Sequence, residues 1–323
     1  MTGLRFHKLS FAYPRQAELF SEVDLDLTGQ ADQSSVVALM GPSGSGKSTL
    51  LRLLLGLEKP TSGSIAFEPS LPVISYVPQE PVLFEHLPVE HNARYFSLAG
   101  AHRDRFDEAL YEQLVTDLGL SDIVTAKRPV TQLSGGQRQR LSMLRALSVR
   151  PDVLLLDEPC NGLDAAVKRA FLISLRKIAE RSKLRVIYVT HHVAEAEMVV
   201  DEVLYLAPVQ GQNNVRVLHT TMSAFLQAPP TVDAALAHGF PATNVLMDGV
   251  ASTGTGRPVA VGRVERAEGA QANCRVTARS AQYTFMEHLV SGSELIVQNE
   301  LAQDAKPGDL VQAELRIGAT VAK

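Results

Sequence analysis

Apolar and polar positions along residues 4–206 alternate between short strand patterns and amphipathic helix patterns. Within 20–27, Val23, Leu25 and Leu27 alternate with acidic residues, as expected for a strand with one buried face. Further strand patterns lie at 4–13, 36–40, 64–67, 73–77, 153–156, 185–190 and 203–206. Strands that alternate with helices predict an α/β core built around a sheet.

Helix periodicity fills the intervals between these strands. It is clearest from Lys47 onward and at Gln137–Arg150, Ala165–Arg181 and Val193–Val199. Residues 86–132 contain polar helices, of which Asp104–Leu120 is the clearest, and no buried strand pattern interrupts them. The sequence therefore predicts a helical subdomain, about residues 86–150, inserted in the α/β core.

The pattern changes again near residue 228, where Pro229-Pro230 suggests a linker. Beyond it the chain is rich in short strand patterns, the clearest at Leu310–Ile317 after a Pro-Gly-Asp turn. Two more strands are predicted at Arg275–Val290 and Glu294–Asn299. This last part of the chain is therefore predicted to fold as β structure alone.

Length and composition bound the class of protein. At 323 residues the chain suits about two domains, which we place at residues 1–225 and at a small all-β, OB-like domain, residues 226–323. Hydrophobic residues make up 45% and charged residues 20%, which excludes a disordered, collagen-like or disulfide-scaffold protein. A net charge of −4 gives no basic field for DNA or RNA, so we expect no nucleic-acid partner.

The sequence predicts neither a membrane span nor a metal-binding cysteine pair. The richest apolar stretch, residues 50–57, is interrupted by Arg52 and is well short of the roughly 18 residues that cross a bilayer. The N-terminus lacks the apolar stretch of a signal peptide. Cys160 and Cys274 lie far apart, which favours a reducing, cytosolic setting. We expect a soluble chain, with other chains spanning any membrane that it serves.

A glycine-rich loop follows the strand pattern at 36–40. It fits G-x-x-x-x-G-K-[ST] and comprises Gly41, Pro42, Ser43, Gly44, Ser45, Gly46, Lys47, Ser48 and Thr49. Glycines let consecutive backbone N–H groups converge on phosphate oxygens, and the N-terminus of the following helix faces the same charge. Lys47 is placed to reach the β- and γ-phosphates, and the Ser48 hydroxyl to bind Mg²⁺. The loop predicts a nucleotide site of the P-loop NTPase type, which kinases, GTPases and motors share.

Two acidic residues end the buried strand pattern at 153–156. Asp157 is placed to hold Mg²⁺, directly or through water, and Glu158 to polarise an attacking water as general base. Taken alone, this stretch is equally consistent with a strand that ends in two solvated acids. The P-loop upstream favours the catalytic interpretation.

A second glycine pair stands at the start of another predicted helix. The motif comprises Leu133, Ser134, Gly135, Gly136 and Gln137. Physically it is a second phosphate nest, because Ser134 and the glycine N–H groups lie at a helix N-terminus. With this motif the sequence resembles the ATP-binding-cassette (ABC) ATPases, whose signature is LSGGQ. The resemblance implies ATP hydrolysis with Mg²⁺ in a homodimer, in which this nest binds the γ-phosphate held by the opposite subunit's P-loop.

Four smaller matches lie in the order that the family shows. The resemblance implies that Tyr13 stacks on adenine and that Gln79 touches Mg²⁺ and the attacking water. It implies that Asp164 ends the D-loop, residues 161–164, which crosses the dimer interface. It also implies that His191 is the switch histidine, which stabilises charge growing on the γ-phosphate.

Three features depart from the family pattern. Asn161-Gly162 stands where Ser-Ala is usual, which puts the fine coupling across a dimer in doubt. His192 stands where an acid is common, and we predict a surface role for it. Residues 29–35 form a longer and more polar segment than the turn that usually precedes the P-loop strand. Cys160, just after the acids, is predicted to be a buried small apolar residue.

Two further parts of the chain, one after Gln79 and one at the start of the β-rich end, resemble parts of bacterial importer ATPases. Leu83–Val89 resembles the run that contacts the coupling helix of the membrane subunit. The segments 225–230 and 242–246, followed by the β-rich end, resemble the TOBE domain of importers for oxyanions, iron, polyamines, phosphonates and sugars. The resemblance implies a peripheral subunit at the cytoplasmic face of the inner membrane, with integral-membrane permease subunits and an extracytoplasmic solute-binding protein as partners.

The sequence leaves three points open. Residues 226–323 either sense intracellular substrate and regulate transport, or serve only as a dimerisation element, because they show no ligand constellation. An ABC ATPase of another process, such as export or nucleic-acid repair, is the alternative to an importer, although a single cassette and the acidic balance disfavour repair. The cargo is not indicated, because the permease and the solute-binding protein select it.

Overall fold

The computed structural model describes thirteen parts of the chain. They are residues 2–27, 35–98, 100–125, 129–209, 212–227, 244–247, 256–266, 272, 274–279, 283–288, 294–298, 305–307 and 309–317. The chain divides into two compact units, Met1–Met222 and Ser223–Lys323. Among the described residues, no helix combines the length and the apolar character that crossing a bilayer requires.

Nine strands of the first unit form one sheet. They are β1 (Gly3–Ala12), β2 (Glu18–Asp26), β3 (Ser35–Met40), β4 (Ser62–Glu68), β5 (Ile74–Val77), β6 (Val153–Asp157), β7 (Arg185–Val189), β8 (Glu202–Pro208) and β9 (Val215–Thr221). Their order is β4-β1-β2-β9-β8-β3-β7-β6-β5. The strands β5, β6, β7, β3 and β8 are parallel to one another. The predicted α/β core is confirmed, and β9 is a strand that the sequence pattern did not predict.

The helices of the chain follow the predicted periodicity with one correction. They are α1 (Lys47–Leu54), α2 (Val89–Leu98), α3 (Glu108–Asp117), α4 (Ser121–Val124), α5 (Gly135–Leu147), α6 (Ala165–Ser182), α7 (Val193–Val199) and α8 (Met222–Gln227), with 3-10 turns at Gly100–Arg105 and Val130–Gln132. The prediction of one helix over Asp104–Leu120 is wrong at both ends. Asp107 caps α3 by accepting a hydrogen bond from the Leu110 N–H at 3.1 Å, and Gly119 turns the chain at a φ of 61°.

The parallel register brings the ends of four strands to one edge of the sheet. Val77 of β5 pairs with Leu156 of β6, and Asp157 pairs with Val189 of β7. Leu39 of β3 also pairs with Val189. Because parallel strands end on the same side, the loops after β3, β5, β6 and β7 emerge together. All the predicted motifs on these four loops therefore lie at one edge.

The second unit contains a six-stranded antiparallel sheet in the order β10-β11-β15-β12-β13-β14. Its strands are β10 (Asn244–Met247), β11 (Gly256–Arg266), β12 (Cys274–Arg279), β13 (Tyr283–His288), β14 (Glu294–Gln298) and β15 (Leu310–Ile317). The strand predicted at Leu310–Ile317 is confirmed as β15, and within it Val311 and Ala313 are buried while Gln312 is exposed. The single strand predicted over Arg275–Val290 is wrong, because that segment holds two strands.

Some predicted features fall outside the described residues. These are the linker at Pro229-Pro230, residues 242–243 of the second importer-like segment, residues 29–34 of the turn before β3, and Val290 and Asn299 at the ends of predicted strands.

Candidate nucleotide site

The loop after β3 is shaped by glycines and by Lys47. Gly44 and Gly46 have φ values of 79° and 92°, a left-handed conformation that favours glycine. At Gly46 an added Cβ would lie 2.9 Å from Leu19 Cδ2. The Lys47 Nζ donates hydrogen bonds to the carbonyl oxygens of Gly41 and Pro42 at 2.8 and 2.9 Å. The lysine therefore holds the loop closed on itself, with its ammonium at the mouth of the P-loop.

The ammonium of Lys47 lies close to the two predicted catalytic acids. Burial lowers its pKa, whereas the nearby charges of Glu158 and Asp157 oppose that shift. The cation therefore links the P-loop electrostatically to the end of β6. This places the loop and the acids in one site, as the sequence predicted.

A cavity of about 660 Å³ opens beside the start of α1. It is lined by Tyr13, Arg15, Gln16, Gly46, Lys47, Ser48, Thr49 and Asn213, among others. The Tyr13 hydroxyl lies 3.2 Å from Thr49 Oγ1, and its ring packs edge-on against Phe11 at 4.9 Å. These contacts fix the aromatic ring as one wall of the cavity. The volume is in the range of small-molecule sites.

The acids that end β6 have different surroundings. Burial raises the pKa of Asp157, while a hydrogen bond of 3.2 Å from the Tyr76 hydroxyl opposes that shift. Glu158 adopts a φ of 45°, unusual for a residue with a side chain, and its N–H donates to the Val189 carbonyl at 3.0 Å. This left-handed turn directs the chain away from β6 at Glu158, a strained conformation of the kind found at functional sites.

Both oxygens of the Glu158 carboxylate have partners. His191 Nδ1 lies 3.0 Å from Oε1, and the Asn161 side-chain amide donates to Oε2. The structure thus brings together the predicted general base and the predicted switch histidine. The sequence did not predict the contact of Asn161 with Glu158. The one sequence feature that marked this position was the Asn161-Gly162 pair in place of the usual Ser-Ala. His192 is exposed, in agreement with the surface position predicted for it, and its ring lies 3.9 Å from that of His191.

The predicted magnesium ligands offer oxygen donors of the required kind. Ser48 is exposed in the cavity, and Asp157 ends β6. Gln79 is exposed just beyond β5, whose last residue, Val77, pairs with Leu156 of β6, so Gln79 follows at the same edge of the sheet. Among the described residues, no cluster of three His, Cys, Asp or Glu side chains forms a closed metal site. One carboxylate with hydroxyl and amide oxygens suits Mg²⁺, which keeps several waters and binds substrate phosphates.

The predicted signature motif begins α5. Ser134 caps the helix, accepting a hydrogen bond from the Gln137 N–H at 3.3 Å, and the Gln137 side chain accepts from the Ser134 N–H at 3.0 Å. Leu133 is buried just before this cap, and Gly135 is exposed in the first turn. The structure therefore places the glycine pair at a helix N-terminus, as predicted.

The segment after the acids packs against this helix start. A Cβ on Gly136 would lie 3.2 Å from Leu163 Cδ2 and 3.3 Å from Val167 Cγ1. Asp164 caps α6 by accepting hydrogen bonds from the Ala166 and Val167 N–H groups at 3.1 and 3.0 Å. The lack of a side chain at Gly136 thus lets Leu163 of the D-loop and Val167 of α6 approach the signature motif closely.

Solved structures share this fold. The CbiO1 protein of Clostridium perfringens, part of an ABC transporter complex, superposes with a TM-score of 0.59 and 22% identity over 69% of this chain and 90% of that chain. A bacterial Atm1-family ABC exporter with ATP bound superposes with a TM-score of 0.57 and 25% identity over 70% of this chain and 40% of that chain.

Sequence comparison gives the family. The model for the ABC transporter family matches residues 25–161. The sulfate/thiosulfate import ATP-binding protein CysA of Synechococcus elongatus is 43% identical over 57% of this chain and 54% of its own length, so the match spans about half of that relative. The molybdenum import ATP-binding protein ModC of Albidiferax ferrireducens is 32% identical over 93% of this chain and 84% of its own length. The chain therefore belongs to the ABC transporter family, among its importer-type ATP-binding proteins.

Proposed function

We propose that this chain is the ATP-hydrolysing subunit of a bacterial ABC importer. As a homodimer it couples the binding and hydrolysis of MgATP to the transport of a small solute through a separate permease. The observation that carries this proposal is the meeting of Lys47, Asp157, Glu158 and His191 at one edge of the sheet. A cation for phosphate, a metal ligand, a base and a donor are the groups that phosphoryl transfer to water requires.

Each of these groups has a distinct role in the proposed reaction. Tyr13 offers its ring to adenine, and the loop N–H groups with Lys47 bind the phosphates. Ser48, Asp157 and Gln79 hold Mg²⁺, which when bound neutralises charge on the β- and γ-phosphates.

The proposed chemical step uses Glu158, which follows β6, and His191, which follows β7. The oxygen of a water molecule attacks the γ-phosphorus while Glu158 accepts a proton from that water. The bond between the γ-phosphorus and the β,γ-bridging oxygen breaks, and ADP leaves with that oxygen. His191 donates a hydrogen bond to the γ-phosphate as its charge grows. Each Glu158 carboxylate oxygen has one partner, His191 or Asn161, and two lone pairs, so the carboxylate keeps acceptor capacity for that proton.

The signature motif completes the site from a second copy of the chain. Leu133, Ser134, Gly135, Gly136 and Gln137 offer a helix N-terminus to the γ-phosphate bound by the partner's P-loop. Asp164 and the D-loop pack directly behind this motif and follow its movement. Two copies of the chain thus enclose two ATP molecules.

An aromatic patch near Gln79 supports docking of a permease. The Phe84 ring packs 4.4 Å from that of Tyr95, and Arg145 lies 5.4 Å from Phe84 and 5.3 Å from Phe96. Tyr95 and Phe96 are 40% and 44% exposed, unusually high for aromatic rings. A patch of this kind suits the apolar face of a helix from an integral-membrane subunit. The chain then lies peripherally at the cytoplasmic face of the inner membrane.

The cargo belongs to a class of small solutes. The relatives are named for import of sulfate or thiosulfate, molybdenum and Fe(3+) ions. We extend the candidates to polyamines, phosphonates and sugars, and we include an extracytoplasmic solute-binding protein as partner. Residues 226–323 are proposed to be a TOBE-like domain. In it, intracellular sensing of substrate and dimerisation are the two candidate roles.

ATPase assays on the full chain test the proposed enzyme. Glu158→Gln should lower the rate of hydrolysis on the order of 10²–10⁴-fold, because the general base is lost, and should leave ATP binding intact. The exposed Glu112→Gln is the matched control and should keep the wild-type rate. A Glu158→Gln variant that turns over at the wild-type rate would overturn the assignment.

A further inference from the structure

Glu195, in the first turn of α7, has a buried carboxylate with three side-chain donors. The side chain is only 6% exposed. Its Oε1 accepts a hydrogen bond from Lys168 Nζ at 2.5 Å. Its Oε2 accepts from the Tyr188 hydroxyl at 3.0 Å and from Thr190 Oγ1 at 3.1 Å. A buried carboxylate with one cation and two hydroxyl donors is a rigid junction, because losing Lys168 would leave its charge unpaired and losing either hydroxyl would remove a hydrogen bond in a poorly solvated site.

This junction holds the segment that carries the switch histidine. Thr190 Oγ1, besides donating to Glu195, accepts a hydrogen bond from the backbone N–H of His192 at 3.0 Å. His191 lies between these two residues in the sequence, and its ring Nδ1 is 3.0 Å from Glu158 Oε1. Glu195 thereby fixes the backbone on both sides of His191 without touching the reacting atoms.

The junction also reaches the segment after the catalytic acids. Tyr188, a fully buried donor to Glu195, also lies beside the buried thiol of Cys160, whose pKa is raised to about 11 by burial. Cys160 lies between Glu158 and Asn161, whose side chains are in contact. Both sides of the His191–Glu158 pair are therefore anchored to one carboxylate.

Lys168 extends this junction to the D-loop. The Lys168 N–H donates to the carbonyl of Asp164 at 2.9 Å, in the first turn of the helix that Asp164 caps. The same residue donates its ammonium to Glu195, so one side chain joins the start of α6 to the start of α7. This ion pair therefore connects the first turn of the helix that the D-loop precedes with the residue that holds the His191 segment.

We propose that Glu195, with Lys168, is a positioning residue that sets His191 against Glu158 and couples both to the D-loop. The proposal rests on the proposed function, because hydrolysis is its readout. Its consequence is specific: loss of the carboxylate slows the chemical step and leaves nucleotide binding unchanged, because Lys47 bonds to carbonyls of the P-loop itself whereas Glu195 bonds to Lys168, Tyr188 and Thr190.

The test compares Glu195→Gln with Glu197→Gln in the full-length chain. Glu197 lies on the same helix and is exposed, which makes it a matched control. Glu195→Gln should lower kcat on the order of 10–100-fold, the size of effect typical of a residue that orients catalytic groups. The Kd for ATP should stay at its wild-type value, and the imidazole ¹⁵N signals of His191 should shift. Glu197→Gln should change none of the three.

A second variant guards against misfolding of Glu195→Gln. Lys168→Met keeps most of the length of the side chain and removes the ammonium, and it should also lower kcat. The double variant should lose less than the product of the two single losses, because the partners act as one unit. Equal falls in kcat, ATP affinity and thermal midpoint would show a merely structural role and overturn the proposal.

Failure of the proposed function and failure of the proposed role of Glu195 give different results. A wild-type chain that hydrolyses no ATP overturns the proposed function. A wild-type chain that hydrolyses ATP, with Glu195→Gln and Lys168→Met at the wild-type rate, overturns only the role of the junction.

Discussion

Two helices of this chain begin with glycine-rich motifs, and their N-termini are built in opposite ways. At α1, Gly46 is the cap residue, with a φ of 92° and no side chain that accepts from the first turn. At α5, Ser134 and Gln137 form a reciprocal capping box. The first helix therefore presents unpaired N–H groups to a ligand, whereas the second satisfies part of its own.

This difference between the two helix N-termini indicates that they act at different steps, α1 when ATP binds and α5 later. Free N–H groups beside a cavity of about 660 Å³ and an ammonium suit the phosphate site proposed at α1, and one chain supplies all of these groups. At α5 an arriving phosphate must displace or share the Ser134 cap. We therefore expect α1 to determine ATP affinity, and α5 to contribute only when a second chain brings a phosphate to it.

The largest expected effect is on ATP affinity at α1. Lys47→Ala removes the ammonium and should weaken ATP binding on the order of 10- to 100-fold, since hydrogen bonds to charged groups contribute about 1.5–3 kcal/mol. Calorimetric titration with a non-hydrolysable ATP analogue measures it, with the exposed Lys59→Ala as control. Unchanged affinity in Lys47→Ala would remove α1 from the binding site.

The next effect compares two glycines. Gly46→Ala forces a side chain into the left-handed region against Leu19 and should lower the free energy of unfolding by about 1–3 kcal/mol. Gly135→Ala, where an added Cβ meets nothing within 4 Å, should change it by less than about 0.5 kcal/mol. Urea unfolding of the nucleotide-free chain gives both values. Equal costs at the two positions would contradict the contrast between the helix starts.

The smallest effect concerns the cap of α5. Ser134→Ala removes an acceptor for the Gln137 N–H and should lower the free energy of unfolding by about 1 kcal/mol. It should leave the Kd for ATP unchanged, because α1 is intact. Ser182→Ala, exposed at the end of α6, is the matched control in the same unfolding and titration experiments. Weaker ATP binding in Ser134→Ala would mean that the signature motif already shares the site in a single chain.

Much of the fold, and the proximity of the principal candidate site residues, follow from the sequence. Apolar runs such as 36–40 and 153–156 are short and have clear ends, so they predicted the central strands closely. Lys47 and Glu158 belong to motifs whose spacing is set by phosphate chemistry, and the structure brings them together.

Other features depend on contacts that no local pattern records. The strand β9 has only one fully buried residue, Val215, so its apolar periodicity is weak. The sequence at Arg275–Val290 favours strand along its whole length and therefore predicts one strand. The structure has two strands there, β12 and β13, which pair antiparallel. The contacts of Asn161 and Glu195 with other segments form only when the ends of β6 and β7 meet.

Mixed dimers test the central claim most directly, that each site combines α1 of one chain with α5 of another. Lys47→Ala and Ser134→Arg chains are co-expressed with different tags, and dimers that carry both tags are purified and assayed for ATP hydrolysis. Each variant alone should be inactive, because every site in its homodimer has one defective half. The mixed dimer has one site with both halves intact and should regain hydrolysis. A purified mixed dimer as inactive as its parents would contradict the account.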